Sequence, residues 1–488
     1  MYIKRISFAL FWSWFLFFSG LTGTLAQHEA PTPSDSVTIL EAESHNPERT
    51  IETLKDVFGL GTISGHVRNY FINTINQGTL TDYYANATGG AIRFKSHRIF
   101  GFEFGVAGIF TYKLFSNDLN KVDPITGGIA EFEHQLFDVL DTDNFNDLDR
   151  LEELYLRYYF KHGYATYGKL TIEDSPLMNK SDGRMKPFAF KGLWLQYTLL
   201  EKHRFNLAWI DRISPRSTVE WFDFKEGIGL SNQGFQPDGT EAEYHENLES
   251  EGIAKLGYQT HFSNFSLEVY QWYLHNISYS GWVGVAYENR GWNLGVQYVL
   301  QFPDSFQRTL EYEQRFMQPE ERGQVISGQL GYATSDWELR LAYTQALASG
   351  RFLFPRELGR DQFYTSISRS RLDGFGDTGV LTLSGDHTFG IEHFSAGVDY
   401  TRTFGPEVDA FEFNKYNLDA YQQFNLRLHY ALKGFFEGMH LEFLYVYRDN
   451  INNSEPEVIF NRGNLHQLNF ITNFDFRDPS ETSGKTLN

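Results

Sequence analysis

Cysteine is absent from this sequence, so an exported form of the chain cannot rely on disulfides; its stability must come from packing or from closed hydrogen bonding. Beyond its first residues it also lacks any apolar run of the roughly 20 residues that a membrane-spanning helix requires. Basic charge is in deficit: 42 Lys and Arg stand against 62 Asp and Glu, a formal charge of -20, which argues against a nucleic-acid partner. The acids crowd segments expected in outer loops, such as 138–149 and 239–252, so net charge does not set the character of a lumen. What the chain has in excess is aromatic side chains, 17% of all residues, with 45 Phe and 28 Tyr against 9 Trp. Its mean hydropathy is nevertheless negative. A sheet whose strands turn an apolar face to lipid and a polar face to a lumen reconciles the two, because averaging the faces hides the hydrophobicity.

The opening residues, MYIKRISFALFWSWFLFFSGLTGTLAQ, set Lys4 and Arg5 before an apolar run from about Ile6 to Phe18 and end on Thr24-Leu25-Ala26. This is the pattern of a signal peptide, residues 1–26, cut after Ala26; its apolar core is too short to anchor the chain across a bilayer. Residues 27–60 form a periplasmic segment in which NPERTIETLKDVFG predicts a short helix, with Asn46 as cap, Pro47 in the first turn and Gly59 at its end. Ile51, Leu54, Val57 and Phe58 share one face of it. That suits an element resting at a periplasmic mouth, and equally a lead-in helix with no part in transport.

From Gly61 onward the period is two. Phe100, Phe102, Phe104, Val106, Gly108, Phe110, Tyr112 and Leu114 fall on one face, with Glu103, Thr111 and Lys113 on the other. The alternation returns with Leu154, Leu156, Tyr158 and Phe160 against Glu153, Arg157 and Lys161, and with Trp337, Leu339, Leu341 and Tyr343 against Glu338, Arg340 and Thr344. Segments of this kind reach ten residues or more, as a tilted membrane strand requires, whereas strands of soluble proteins run to about 5–6. Very short connections, around 161, 201, 262, 288, 334, 389 and 433, alternate with long ones near 115–150, 170–191, 213–251, 303–323, 347–378 and 449–464. Short periplasmic turns and long outer loops predict an all-β protein: a transmembrane antiparallel β-barrel of roughly 18 strands over residues 61–476, both termini periplasmic, with 477–488 as a tail.

The segments GTISGHVRNYFINTIN and GGAIRFKSHRIFGFEFGVAG, and above all GKLTIEDSPLMNKSDGRMKPFAFKGLWL (168 to 195), resemble the OprD-like family of outer-membrane porins. The last is similar to the family's third loop: a strand end of Gly-basic type, a Pro-Leu-x-Asn turn, an Asp-x-Arg-Met-x-Pro core and a return through Phe and Gly. The likeness runs from about Gly61 to Phe476. It implies a barrel whose inward-folded loops narrow a water-filled lumen for passive diffusion of small polar solutes, carboxylates or amino acids among them. It departs at the end, where family chains stop on the last aromatic and this one continues past Phe476 as RDPSETSGKTLN.

In the third loop, Asp174, Ser175, Asn179, Lys180, Ser181, Asp182, Arg184 and Lys186 put both charge signs into one short segment. Folded inward, it would set a transverse field at a pore constriction that orients dipolar solutes and screens by charge. The plainer reading is an Asp182–Arg184 pair that only holds the loop in shape. A second loop, 347–378, carries Arg351, Arg356, Arg360, Arg369 and Arg371 against few acids. Turned inward it would draw anions toward the pore; turned outward it would meet lipopolysaccharide phosphates. A third set, Arg157, Arg340, Arg427 and Arg448, has lumen parity, since a guanidinium on the lipid face near the midplane costs about 2–4 kcal/mol. As a row they would hand a carboxylate from fork to fork, unless wall acids such as Glu153, Glu338 and Glu442 neutralise them.

Nothing in the sequence reads as catalytic. SPRSTVEWF (214 to 222) is rich in hydroxyls but has no His or Asp spacing that would activate a nucleophile. His261, His275, His387, His393, His429, His440 and His466 look scattered, with no two-His ligand spacing on a shared face, so neither metal nor cofactor is expected. GLGTISG opens a strand with no helix after it and is no phosphate cradle. An outer-membrane hydrolase would need a Ser-His-acid or paired-carboxylate constellation that is missing, and an energy-coupled receptor of roughly 22 strands plus a plug needs a longer chain. A ligand-binding or adhesive barrel acting through its long loops remains the alternative to a passive channel. The expected partners are small polar solutes, outer-membrane lipid and lipopolysaccharide, and the barrel-assembly machinery, in the outer membrane of a Gram-negative bacterium. Solute, oligomeric state and pore radius are not written in the sequence.

Overall fold

The computed structural model describes residues 53–173, 175–181, 183–390, 393–451 and 464–477. The expected signal peptide, Asn46 and Pro47, Asp174, Asp182, most of the last outer loop and the C-terminal tail lie outside the described residues.

The alternating segments become β1 Thr62–Asn76, β2 Tyr83–Lys95, β3 Phe102–Ser116, β4 Arg150–Phe160, β5 Gly163–Leu170, β6 Ala189–Leu199, β7 His203–Ser214, β8 Phe222–Asp223, β9 Ile253–Phe262 and β10 Phe265–Leu274. There follow β11 Ser278–Asn289, β12 Trp292–Pro303, β13 Gly323–Ala333, β14 Trp337–Ala346, β15 Thr378–Thr388, β16 Phe394–Phe404, β17 Tyr421–Ala431, β18 Met439–Asn450 and β19 Leu465–Arg477. β8 is a two-residue ribbon on the end of β7, so 18 strands among the described residues make the wall. Neighbours pair antiparallel throughout, and β1 closes onto β19 in a register running from Ser64↔Arg477 to Asn76↔Leu465. Closure leaves no strand edge unpaired, which a sheet in hydrocarbon must achieve.

One end of the barrel holds the short turns and both chain ends of the wall; the other holds the long loops. The turn 290–291 shows how little chain a right-twisted hairpin needs, with Arg290 and Gly291 both left-handed at φ 49 and 84. Two loop-end connections differ from the sequence reading. Residues 275–277 join β10 to β11 in three residues, and 405–420 form a long loop that the sequence reading passed over.

Parity follows the prediction. Phe102, Tyr112, Leu156, Leu339 and Leu341 stand exposed on the outer face, while Glu103, Thr111 and Thr344 are buried on the inner one. Cross-strand aromatic pairs ring the outer face near the turn end: Phe102 with Tyr158 at 4.8 Å, Phe265 with Tyr287 at 4.7 Å, and Trp292 with Tyr332 at 4.9 Å. Tyr273 with Tyr279 at 4.6 Å belongs to the loop end. An apolar band between aromatic girdles is the surface that a bilayer stabilises.

Of the segment expected to be an N-terminal helix, the described residues begin at Thr53. Helix α1 runs Leu54–Gly59, and Thr53, extended at φ -137 and ψ 158, is its N-cap. The Thr53 side chain accepts from the Asp56 amide and Asp56 answers the Thr53 amide, a capping box that starts a new helix here whatever precedes it. Phe58 stacks on outward-facing Phe94 of β2 at 5.9 Å, which sets α1 on the barrel rim.

A guanidinium placed on the outer band should therefore unsettle the fold. Leu341→Arg, at the middle of β14, is expected to lower unfolding free energy in lipid vesicles by about 2–4 kcal/mol, measured by guanidinium titration. A loss below about 1 kcal/mol would mean that this face does not meet hydrocarbon.

Candidate functional site

The loop 347–377 folds inward and crosses the lumen, which settles the choice that sequence left open. Along its course Leu353 exchanges two 2.8 Å hydrogen bonds with Gln301 of β12, and Phe363 stacks on Trp282 of β11 at 5.1 Å. Thr365 then bonds Thr344 of β14 at 2.7 Å, and the Ser368 carbonyl accepts from Gln423 (2.7 Å) and Asn425 (3.2 Å) of β17. Arg369 reaches β19, donating to Gln467 (2.6 Å) and Asn469 (3.0 Å), and meets Tyr70 of β1 at 3.1 Å. The cause is apolar: Phe352, Leu353, Leu358, Phe363 and Leu372 join a buried cluster with Trp272, Trp282 and Phe190 inside the barrel. Burial of each such side chain contributes about 1.5–3 kcal/mol, and several together offset the cost of carrying the loop's arginines inward.

The loop 171–188 locks against it. Asn179 donates to the Arg360 carbonyl (2.8 Å) and the Gln362 amide to the Pro176 carbonyl (3.1 Å). Of the predicted constriction residues, Ser175, Asn179, Arg184 and Lys186 are buried between the loops and the wall. Lys180 instead pairs with Glu173 at 3.4 Å, and Ser181 takes a left-handed turn at φ 44. Asp174 and Asp182 lie outside the described residues, so the Asp182–Arg184 pair does too. Arg184 donates to its neighbour's carbonyl at Gly183 (2.8 Å) and approaches the Tyr70 hydroxyl (3.5 Å), while its own carbonyl accepts from Arg68 (2.6 Å). The buried Lys186 ammonium has no acceptor among the described residues, and burial, with Arg150 nearby, brings its pKa down to about 7.

Five guanidiniums, of Arg184, Arg216, Arg360, Arg369 and Arg371, repel one another where these loops meet. Burial and then Arg369 pull the Arg184 pKa down to about 9; burial and then Arg371 pull that of Arg360 to about 10. Arg371 is lowered by burial and Arg356, and Arg216 is pushed well down by burial and then by Arg184, Arg371, Arg369 and Arg360. Their hydrogen bonds go to neutral groups: Arg360 to the carbonyls of Ile367 and Ser370, Arg369 to side-chain amides, Arg216 to Gln135. No carboxylate among the described residues lies within ion-pair distance of any of the five. The acids that face them, Glu133 and Asp361, are both raised by burial, Glu133 to about 7 against the pull of Thr74, Arg184 and Arg369. Among the described residues the cluster thus carries more basic than acidic charge, without an ion pair to any of the five.

The remaining loop arginines do other work. Arg351 forks onto Glu321 (2.7 and 3.1 Å), and Arg356 pairs with Asp373 (2.8 Å) while lying over Tyr416. Arg157, Arg340, Arg427 and Arg448 all face inward but stand on β4, β14, β17 and β18. Arg427 is held by Asp399 (2.9 Å) and Asp386 (3.0 Å). Arg340 donates to Ser384 (3.3 Å), Arg157 to Thr166 (2.8 Å), and Arg448 to Gln423 (2.8 Å) and the Arg369 carbonyl. The wall acids these arginines meet are Asp386, Asp399 and Glu103; Glu153 is taken by Arg93 at 2.8 Å. Four residues of the site escaped the sequence reading: Arg68, Tyr70, Glu133 and Arg216. Lumen parity on β1 would have found the first two. Arg216 lies in the segment screened only for a nucleophile.

One exclusion is also corrected. His429 and His440 do share a face: they stack with ring centres 5.6 Å apart on the lumen side of the β17–β18 hairpin. They are nearly symmetric about the turn at 432–438, so antiparallel pairing brings together what looks scattered along the chain.

No family model matches the chain, and no curated protein matches it in sequence. Its architecture has counterparts among solved structures. Acinetobacter baumannii OccAB4 superposes with a TM-score of 0.66 at 14% identity, covering 86% of this chain and 98% of that one. Pseudomonas aeruginosa OccK9 (OpdG) gives 0.66 at 14%, covering 86% and 100%. Pseudomonas aeruginosa OpdK, solved with vanillate, gives 0.64 at 15%, again over 86% and 100%. The fold is that of the OprD-like porins.

Within this porin fold, Glu133 makes the docking of the inner loops depend on pH. An unfolded glutamate titrates near 4.3, whereas Glu133 in place titrates at about 7. The fold thus favours its neutral form, and the stability this contributes is full below about pH 4.3 and lost as pH rises through 7. Proteolysis of the loop 117–149 should accelerate between about pH 5.5 and 8 in the wild type relative to Glu133→Gln. A constant rate ratio across that window would show that Glu133 is not the titrating group.

Proposed function

We propose that this chain is an outer-membrane channel for passive diffusion of small anionic solutes, carboxylates foremost. The observation that carries the reading is the cluster of five arginines at the crossing of the two inward loops, without an ion pair among the described residues and with neutral hydrogen-bond partners for Arg184, Arg216, Arg360 and Arg369. A carboxylate entering it accepts charge-assisted hydrogen bonds and relieves guanidinium repulsion, and the low-dielectric wall makes each charge count for more than in bulk water. Outer-loop acids matter little there, because exposed charges are screened beyond about 8–10 Å. An amino acid fits the same geometry, with its ammonium toward Glu133 or Asp361. The OpdK structure holds vanillate, whose carboxylate is the group such a cluster would grip.

The outer apolar band and the expected signal peptide support an outer-membrane location, reached through the barrel-assembly machinery. With Arg351 and Arg356 buried in ion pairs, the loop 347–377 is turned away from lipopolysaccharide phosphates.

Reconstituted in a planar bilayer, the protein should conduct without an energy source and pass a small carboxylate faster than a neutral solute of equal size. Arg371 and Arg216, the least engaged of the five, are the ones to change. Arg216→Gln with Arg371→Gln should cut the carboxylate preference by about tenfold, the equivalent of one lost charge-assisted contact. A silent bilayer would end the channel reading. Equal passage of the two solutes in the wild type would mean that the constriction sieves by size.

A further inference from the structure

Toward the turn end of the lumen, joined to the arginine cluster through Arg68 and Asn473, the β17–β18 hairpin presents His429, His440 and Glu442 on one inward patch. Glu442 pairs directly with His429 across the strands, and His440 lies two residues before Glu442 on the same face. Both imidazoles are half-buried, and no hydrogen bond engages either ring among the described residues. Other histidines are spoken for: His203 by Tyr258 (2.9 Å), His245 by the Ile228 carbonyl (3.2 Å), His387 by the Asp336 carbonyl (3.0 Å) and His466 by Tyr445 (2.7 Å). The carboxylate of Glu442, by contrast, is oriented. Arg68 donates to Asn473 (2.6 Å) and Asn473 donates to one Glu442 oxygen (3.0 Å).

We propose that His429, His440 and Glu442 form a binding site for a divalent transition-metal ion of the zinc type in the channel wall. Two neutral imidazoles and a carboxylate are a ligand set that such ions take, with water completing the shell. The spacing fits. With Zn–N bonds of about 2.0–2.1 Å and a ring centre about 1.2 Å beyond each nitrogen, two imidazoles on one tetrahedral ion have centres about 5.2 Å apart. The observed separation is 5.6 Å. The rings now stack, and among the described residues no three ligating groups already converge, so binding turns the side chains while the paired strands hold their Cβ positions. Asn473 and Arg68 supply the outer-shell hydrogen bonding that fixes a ligating carboxylate. The site is independent of the solute reading, since a wall that binds metal need not conduct.

Equilibrium dialysis of the refolded protein against zinc chloride tests it. The wild type should hold one zinc ion per chain more tightly than the double variant His429→Gln with His440→Gln, and Asn473→Ala should weaken that ion at least about tenfold through loss of carboxylate orientation. Assembly of each variant is checked by heat-modifiable gel mobility. In the bilayer, zinc should reduce the conductance of the wild type reversibly on chelation and leave the double variant unaffected. Equal zinc retention by wild type and double variant would overturn the site and assign the metal to loop acids. A bilayer silent with and without zinc overturns the channel instead, and dialysis alone then decides the metal site.

Discussion

Each wall strand pairs antiparallel with the strand on either side, and the pairing of β1 with β19 closes the last edge. A sheet that faces hydrocarbon finds no water for an open edge, so it must close. Once the ring is closed, parity is no longer a local matter. A slip of one residue at any pair would turn leucines inward and arginines outward along the whole strand, so the register of each strand is fixed by both neighbours. Bulges are the permitted exceptions. Where the β2–β3 register skips at Asn86/Ala87, Leu114 and Phe115 both end on the outer face.

Closure also creates the interior that the loops fill. The apolar cluster around Trp272, Trp282 and Phe190 is built half from wall strands and half from the loops at 171–188, 215–252, 304–322 and 347–377. It is therefore a core in the ordinary sense, placed inside a barrel and asymmetric within it. Polar, half-buried side chains such as Arg93, Arg427, His429 and His440 line the wall elsewhere, and that is where water has room. The loops meet the lumen as a packed body, and their arginines are carried to fixed positions by hydrophobic contacts, not by their charges.

This division explains what could be read in advance. The wall was legible because a period of two survives in every strand, and Leu339, Arg340 and Leu341 declare their sides without reference to anything distant. The loops were not. That Leu353 meets Gln301 and Phe363 meets Trp282 depends on pairings across many residues of chain that no periodicity encodes. The extended backbone of Thr53 interrupts a helix pattern that composition alone makes continuous. His429 and His440 were hidden for a simpler reason: ligand spacing was sought along the chain, while a hairpin places its ligands across the turn.

Charge in such an interior sorts itself by partner. Arg427 between Asp386 and Asp399, and Arg351 on Glu321, are neutralised, and removing one member of such a pair would strand the other. They hold the wall and the loops together. Arg184, Arg216, Arg360 and Arg369 differ because their hydrogen bonds go to carbonyls, amides and a phenol, and, with Arg371, they make no ion pair among the described residues, the acids that face them standing beyond contact. A dipole satisfies the geometry of a guanidinium without cancelling its field. The repulsion among the five is an energy that the folded chain carries permanently, offset by the apolar packing of the loops that bear them. On the function proposed above, an anion that entered would relieve part of that repulsion, and its departure would restore it, so binding would be reversible. What separates the arginines that hold the wall and loops together from those proposed to meet a solute is thus whether a carboxylate of the protein has already claimed them.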